Sequence, residues 1–386
     1  MRAQSMPAVA VTGMVAEFLY RSCLPMPAQP CQSPPIEEAA AVAVVMGRFQ
    51  PFHRGHLALL ERALGEAPLV IVVLGSAWAA RSPMHPFSWR ERASMIAAAA
   101  GERAARLRFL PVRDCADETR WRAAVLRGVT ALAGTAQPVR LFSGGQALRL
   151  DRPRAMPGWD FTLVPRRPGV GSGALRRVLL AATTPAAGLA VLREHLPAPV
   201  LDYLHGWVEL PWLRTLVADW RALRAEGERW AGVPRLPVRV SADAVVRVAD
   251  SVLLVRRVAP PGENLWALPG DEPCCHERLA QAAMRALRQQ TGIGVLPVSL
   301  EDALRAVAVF DDPRRAWSGR AISHAHHFEL GGHAPGLRGG DPVPAAWVPL
   351  DSLRGDSGSL VEDHHAILDH FFELGDLLEG PPGDRV

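Results

Sequence analysis

The sequence predicts an α/β protein made of two unlike folds: a parallel-sheet domain, a helical connector and an α+β domain. Three observations carry this. From Ala41 to about Leu180, short apolar runs alternate with helix-periodic stretches, the rhythm of parallel strands covered by helices. From Ala186 to about Glu228 the signal is helical, with Trp207, Trp212 and Trp220 among the apolar positions. Beyond Val238, strand-like runs follow one another across tight turns. A length of 386 residues exceeds one ordinary domain, and 49% hydrophobic content supplies sizeable cores. The expected boundaries are 1–40 for an extension, 41–184 for the first domain, 185–234 for the connector, 235–378 for the second domain and 379–386 for a tail.

Each element has its own signal. Ala41–Met46 (AVAVVM) is an apolar run of strand length, after which Leu57, Leu60 and Leu64 recur at helical spacing. Leu69–Leu74 (LVIVVL) is a second buried strand, stopped by Gly75-Ser76. Arg90–Ala99 reads as a helix, Leu107–Val112 as a strand and Trp121–Leu132 as a helix. Val139–Phe142 is a strand halted by Ser143-Gly144-Gly145, and Phe161–Val164 is a fifth. Leu175–Ala182 closes the domain as a helix, and Trp230 to Pro234 ends the connector. In the second fold, Val238–Val248 and Val252–Arg256 pair across a turn at Ala249-Asp250. Glu277–Gln290 is helical and ends at Gly292, a helix-stopping residue. Arg305–Phe310 and Ile322–Leu330 are strand-like, and Asp363–Leu374 is a last helix. No internal repeat is visible.

Composition narrows the function classes. The net charge is only +4, and all 43 basic residues are arginine. No dense basic run interleaved with aromatics occurs, which argues against nucleic-acid binding. Five cysteines, an odd number without metal spacing, fit a reducing, cytoplasmic compartment. No apolar stretch approaches the ~20 residues that span a bilayer. Residues 1–40 are broken by Pro7, Pro25, Pro27, Pro30, Pro34 and Pro35, and read as a disordered extension or a misassigned start rather than a signal peptide.

The densest chemistry lies in Gly47-Arg48-Phe49-Gln50-Pro51-Phe52-His53-Arg54-Gly55-His56, between the first strand and the first helix. A strand, a glycine-bounded loop and a helix start form an anion site where the first helical N–H groups are unpaired. His53 and His56, three apart, can face one phosphate, and the forked donors of Arg48 suit the same group.

This segment resembles the nucleotidylyltransferase superfamily, specifically the archaeal-type nicotinamide mononucleotide (NMN) adenylyltransferases. The resemblance implies a Rossmann-like fold and attack of the NMN phosphate on the α-phosphorus of ATP. It implies that His53, His56, Arg48 and Arg176 carry catalysis, and that Gly47, Phe49, Gln50, Gly55 and Ser172 contact ATP. Asp114, Trp121 and Phe87 are implied at NMN, and Mg²⁺ is expected with the triphosphate. Pro86 to Arg92 and Pro111-Val112-Arg113-Asp114 match further family segments. Ser88 with Glu91 also reads as a capping box, and Trp121 equally as helix packing. The chain departs from the family at Met84-His85, at Ser143 to Ala147, and at Val170 to Arg176, where Gly171 and Gly173 replace two hydroxyls.

Leu265 to Ile293 resembles a Nudix box with its spacing kept. Asp271 stands for the first Gly, Glu277 is the first Glu and Arg285 the Arg, while Ala286, Gln289 and Gln290 replace three glutamates. Those glutamates hold divalent metal in the hydrolases, so this domain is expected to have little or no hydrolase activity and no protein metal site. His324, His326 and His327 do not follow metal-ligand spacing. The likeness covers about residues 41 to 375 and implies a two-domain NMN adenylyltransferase/Nudix protein. The expected ligands are ATP and NMN, with ADP-ribose or NAD in the second pocket, and a homo-oligomer stays open. Two other readings remain: a non-catalytic nucleotide or ADP-ribose sensor, and an adenylyl- or cytidylyltransferase acting on another phosphomonoester.

Overall fold

The structure, a computed structural model, describes residues 42–134, 138–144, 156–165, 171–233, 237–337 and 344–381. The expected extension 1–40, Gly145 to Ala147, Val170, Pro234 and the last residues of the tail lie outside them.

Five strands form the first sheet: β1 (Val42–Gly47), β2 (Leu69–Leu74), β3 (Leu107–Pro111), β4 (Val139–Gly144) and β5 (Asp160–Val164). Their order is β3-β2-β1-β4-β5, with every pairing parallel. Both faces are covered, as the unbroken apolar runs required. In β1, Ala43 and Val45 enter the core on one face, while Val42 and Val44 enter the core on the other. The chain steps outward from β1 to β3, then returns to place β4 beside β1. In open α/β sheets such a reversal leaves a crevice at the carboxyl ends of the strands, where ligands bind.

Helices α1 (Arg54–Glu66) and α2 (Trp89–Ala100) cover one face, and α3 (Glu118–Ala133) covers the other. Beyond α4 (Ser172–Ala181), the segment expected as a connector forms α5 (Pro185–Leu192), α6 (Ala198–Trp207) and α7 (Trp212–Glu228). Leu192, Leu204, Trp207 and Leu216 join the core of α1 and α2, so these helices are packed rather than extended.

The second sheet has the path β10-β11-β6-β7-β12, formed by β6 (Arg239–Val248), β7 (Ser251–Arg256), β10 (Leu304–Phe310), β11 (Ala321–Glu329) and β12 (Ala345–Pro349). The short β8 (Trp266–Ala267) pairs with β7, and β9 (Gly270–Asp271) with β6. Ala242, Ala244 and Val246 of β6 pack on α8 (Leu279–Thr291), while Val245 packs with α11 (His364–Phe372). The sequence reading missed β12, α9 (Pro297–Ala303) and α10 (Leu350–Leu353); the two helices span two turns or fewer, too little to display a helical period. The box helix starts at Leu279 rather than Glu277, because Arg278 takes the N-cap position. No helix among the described residues is long and apolar enough to cross a membrane.

His364, at the head of α11, is buried, and its Nδ1 accepts the Leu268 N–H at 2.9 Å. Burial, then the charges of Arg315 and Arg257, push it down to about 3. Between the unfolded value of 6.5 and that value, the unfolded chain binds a proton that the folded chain refuses, so stability falls as pH falls. The slope is about 1.4 kcal/mol per pH unit. His364→Asn removes this dependence. Urea melts at pH 6.5 and about pH 5 should show the parent losing about 2 kcal/mol relative to the variant. An unchanged difference would refute the neutral buried histidine.

Candidate active site

The ten-residue motif follows β1 at the carboxyl edge of the sheet, beside the β1/β4 reversal. Its shape begins with Gly47, where a Cβ would stand 2.9 Å from the Phe49 ring. Phe49 takes a left-handed φ of 48° and turns its ring inward, edge-on to His56 at 4.9 Å. The Gln50 side chain is buried and binds Phe87 twice, donating to its carbonyl at 2.7 Å and accepting its N–H at 3.0 Å. A loop from the end of β2 is thereby tied to the motif.

His53 is the N-cap of α1. Its Nδ1 accepts the N–H groups of Gly55 (3.1 Å) and His56 (3.3 Å), while its own N–H donates to His56 Nδ1 at 3.4 Å. The rings stack with centroids 3.6 Å apart. Acceptance at both Nδ1 atoms puts the proton of each neutral ring on Nε2, a donor suited to a phosphate oxygen. Gly55 lies against this pair, since a Cβ there would come within 3.1 Å of the His53 ring.

One expectation is corrected here. The first N–H groups of α1 are not unpaired: Arg54 donates to His195 O at 3.0 Å, and His53 takes the next two. An imidazole cap has filled the place an anion would occupy. The uncapped helix start in this region belongs to α4, where no side chain caps Gly171. Ser172 Oγ donates to Pro51 O at 3.3 Å and brings that start against the motif.

Three guanidinium groups surround the loop. Arg92, fully buried on α2, donates to the carbonyls of Arg48 and Gly75 (both 2.8 Å), Ser76 (3.2 Å) and Ser88 (3.3 Å). Arg176 donates to Gln50 O at 2.8 Å and Pro83 O at 3.1 Å. Burial, followed by the charge of Asp114 acting against it and of Arg48 acting with it, leaves Arg92 at about 10. Burial and the neighbouring Arg48 and Arg177 bring Arg176 to about 10 as well, so both stay charged at neutral pH. Arg48 Nη1 lies 3.4 Å from His85 Nε2, which must accept because a guanidinium has only donors. Burial first, then Arg48, Arg92 and Arg176, push His85 down to about 3 and keep it neutral.

The remaining expected residues are spread more widely. Asp114 joins the edge of the site by accepting the Ser76 N–H at 3.3 Å. Trp121 is half-buried against the α3 core. Phe87 is buried with its ring 4.6 Å from that of Trp207. Ser88 and Glu91 form the expected capping box, and Glu91 also holds Arg81 and the Trp207 indole. Sequence reasoning assigned no role to Arg92 or His85. For Arg92 the available signal was a lone arginine on the buried face of a helix.

In the second domain Arg285 is the hub. It donates to Glu277 (2.9 Å), Asp271 (2.8 Å), Gln289 (3.2 Å) and Glu272 O (2.9 Å). Gln290 binds Gly270 in both directions, accepting its N–H at 3.2 Å and donating to its carbonyl at 2.9 Å. Ala286 is buried, and a shallow cavity of about 370 Å³ is lined by Arg285, Arg288 and Gln289. Among the described residues, no group of three or more His, Cys, Asp or Glu is arranged to hold a metal ion.

Replacing Gln50 by Leu should strand the two Phe87 backbone groups and cost about 2–4 kcal/mol of stability. Thermal melts would measure this, and a loss under about 0.5 kcal/mol would show that water replaces the bonds.

Comparison with known proteins matches both domains. The cytidylyltransferase-like family model matches residues 44–122, and the NUDIX domain model matches residues 237–371. The nicotinamide/nicotinic acid mononucleotide adenylyltransferase of Acinetobacter baylyi is 39% identical over 90 residues, 23% of this chain and 48% of that protein. The nicotinamide-nucleotide adenylyltransferase of Picrophilus torridus is 39% identical over 80 residues, 20% of this chain and 47% of that one. The chain thus spans about half the length of the curated relatives it matches. A bifunctional NMN adenylyltransferase/ADP ribose pyrophosphatase from Francisella tularensis superposes with a TM-score of 0.80 at 27% identity, covering 87% of this chain and 100% of that chain. The structure of such a protein complexed with AMP and Mn ion, also from Francisella tularensis, gives 0.77 at 28%, with the same coverage. The chain is therefore a cytidylyltransferase-like domain followed by a NUDIX domain, on the two-domain plan of the Francisella protein.

Proposed function

We propose that the first domain transfers AMP from ATP to NMN, giving NAD and pyrophosphate. The observation that carries this is the stacked His53–His56 pair at the carboxyl end of β1, with Arg48 and Arg176 around the same loop. The adenylyltransferase relatives support the choice of substrates.

An NMN phosphate oxygen attacks the α-phosphorus of ATP. The new P–O bond forms as the bond to the β-phosphate oxygen breaks, and pyrophosphate leaves with the electron pair. No covalent intermediate is needed, so catalysis is positioning plus stabilisation of charge on phosphate oxygens. His53 and His56 donate from Nε2. Arg48, aimed by neutral His85, binds phosphate, and Arg176 with the α4 start takes the triphosphate. Gly47, Phe49, Gln50 and Gly55 shape this loop, while Asp114, Trp121 and Phe87 form the NMN side. A divalent cation such as Mg²⁺ bound with ATP would offset the triphosphate charge beside Arg48 and Arg176.

The NUDIX domain, on this reading, binds a nucleotide such as ADP-ribose or NAD and does not hydrolyse it. Its donor set does not fit a divalent cation. Glu277 is engaged by Arg285, Ala286 has no donor, and Gln289 and Gln290 are neutral. Gln290 also uses its NH₂ to hold Gly270, a bond that an ionised glutamate cannot make.

Purified protein with ATP and NMN, or nicotinic acid mononucleotide, should release pyrophosphate, and His53→Ala should lower kcat by about 10²–10³. Release with a different phosphomonoester alone would select the alternative acceptor. Nucleotide binding without release from any substrate would select the sensor. Separately, ADP-ribose with Mg²⁺ or Mn²⁺ should yield no AMP, and clear turnover would refute the inactive NUDIX domain.

A further inference from the structure

Beyond α11 the chain crosses from the NUDIX fold to the first domain. Arg120 of α3 pairs with Asp369 of α11 and donates to Gly375 O at 2.6 Å. Leu377, only 1% exposed, is then buried in the first-domain core that holds Val112, Ala124 and Val125. The backbone is joined as well, for the Arg113 N–H donates to Leu377 O at 2.9 Å. The buried Arg113 guanidinium donates from Nη1 to Asp376 O at 3.4 Å and from Nη2 to Glu379 O. It lies over the Trp78 ring, 5.5 Å from the centroid. Gly380 closes against the same indole, where a Cβ would collide with Trp78 Nε1. Without these carbonyls a guanidinium would stand in the core with its charge poorly solvated.

Residues 376–380 therefore grip the turn that carries Asp114. Arg113 directly precedes it, and Asp114 Oδ1 accepts the Ser76 N–H at 3.3 Å. The Ala77 N–H donates to Val112 O at 3.0 Å, so the turns after β2 and β3 are laced together on both sides of Arg113. Ser76 O is held in turn by Arg92, and Trp78 O accepts from Ser357 Oγ at 2.9 Å. The Asp114 turn is thus fixed from two directions, by Arg92 within the first domain and by a segment from beyond α11. Misplacing a substrate-positioning group by about 1 Å is enough to lose roughly 10²-fold in rate.

We propose that residues 376–380 are a positioning element of the transferase site: their hold on Arg113 sets the Asp114 carboxylate for NMN. The inference rests on the transferase reading, which puts Asp114 on the NMN side.

The test is calorimetric titration of the full-length parent, Arg113→Met, Gly380→Val and Asp219→Ala proteins with NMN and with ATP. Arg113→Met keeps the apolar stem and removes the donors. Gly380→Val lifts the segment off Trp78 from a half-buried position and leaves the first core intact. Both should weaken NMN about tenfold and leave ATP within about twofold. If Arg113→Met fails to fold, Gly380→Val decides. Asp219→Ala breaks a different bond between the two halves, from the Gly262 N–H to α7 at 3.0 Å, and should match the parent for both nucleotides. An NMN affinity of Gly380→Val within about twofold of the parent would overturn the inference. So would equal losses for NMN and ATP, or the same selective loss in Asp219→Ala, since either is the mark of general loosening. A parent that binds both nucleotides but releases no pyrophosphate would overturn the transferase reading alone, with the segment still decided by the titration. A parent that does not bind NMN would overturn both.

Discussion

The shape of the phosphate loop depends on one buried cation. Arg92 has no water to solvate it, and backbone carbonyls at the ends of β1 and β2 and at the start of α2 take that place. Charge-assisted bonds to carbonyls are stronger than neutral ones, and losing them would leave a bare guanidinium in the core. Each carbonyl is therefore pinned, that of Arg48 included. Arg176 repeats the device from α4 on Gln50 and Pro83. The same cations that shape the loop make it electropositive, so scaffold and ligand field are one feature.

Around this frame the histidines have changed their expected part. His53 caps α1 rather than riding on it, and its capping bonds set the tautomer of both stacked rings. The N–H donors at this edge of the sheet are then the side chains at α1 and the helix start at α4. His85 completes the pattern as a group kept neutral by burial among arginines, able to accept where another cation would repel.

In the NUDIX domain the charges around the box helix are balanced internally. Arg285 on α8 reaches back to the carboxylates of Glu277, just before the helix, and Asp271 of β9. Gln290, one turn further along, clamps the backbone of β9 at Gly270. In the loop after β10, Arg315 is buried against Asp363 while Arg314 forks onto Asp312 and stays exposed.

Period and spacing alone determined a good deal. The five parallel strands, the helices between them, the box helix and the motif's position after β1 were all legible, because apolar periodicity and glycine punctuation are local properties. The Ser88–Glu91 box was readable for the same reason, its partners being three residues apart. Short helices such as α10 were not, since four residues carry no helical period. Nor was the packing of α5–α7 into the first core, which depends on which surface their apolar faces meet. What only the tertiary structure decided is which groups meet across the chain: Arg92 with the ends of two strands, His85 with Arg48, Gln50 with Phe87, and Arg120 with Asp369. Such contacts join residues tens to hundreds of positions apart. Their energies come from burial and charge at a shared place, and a linear sequence does not record that place.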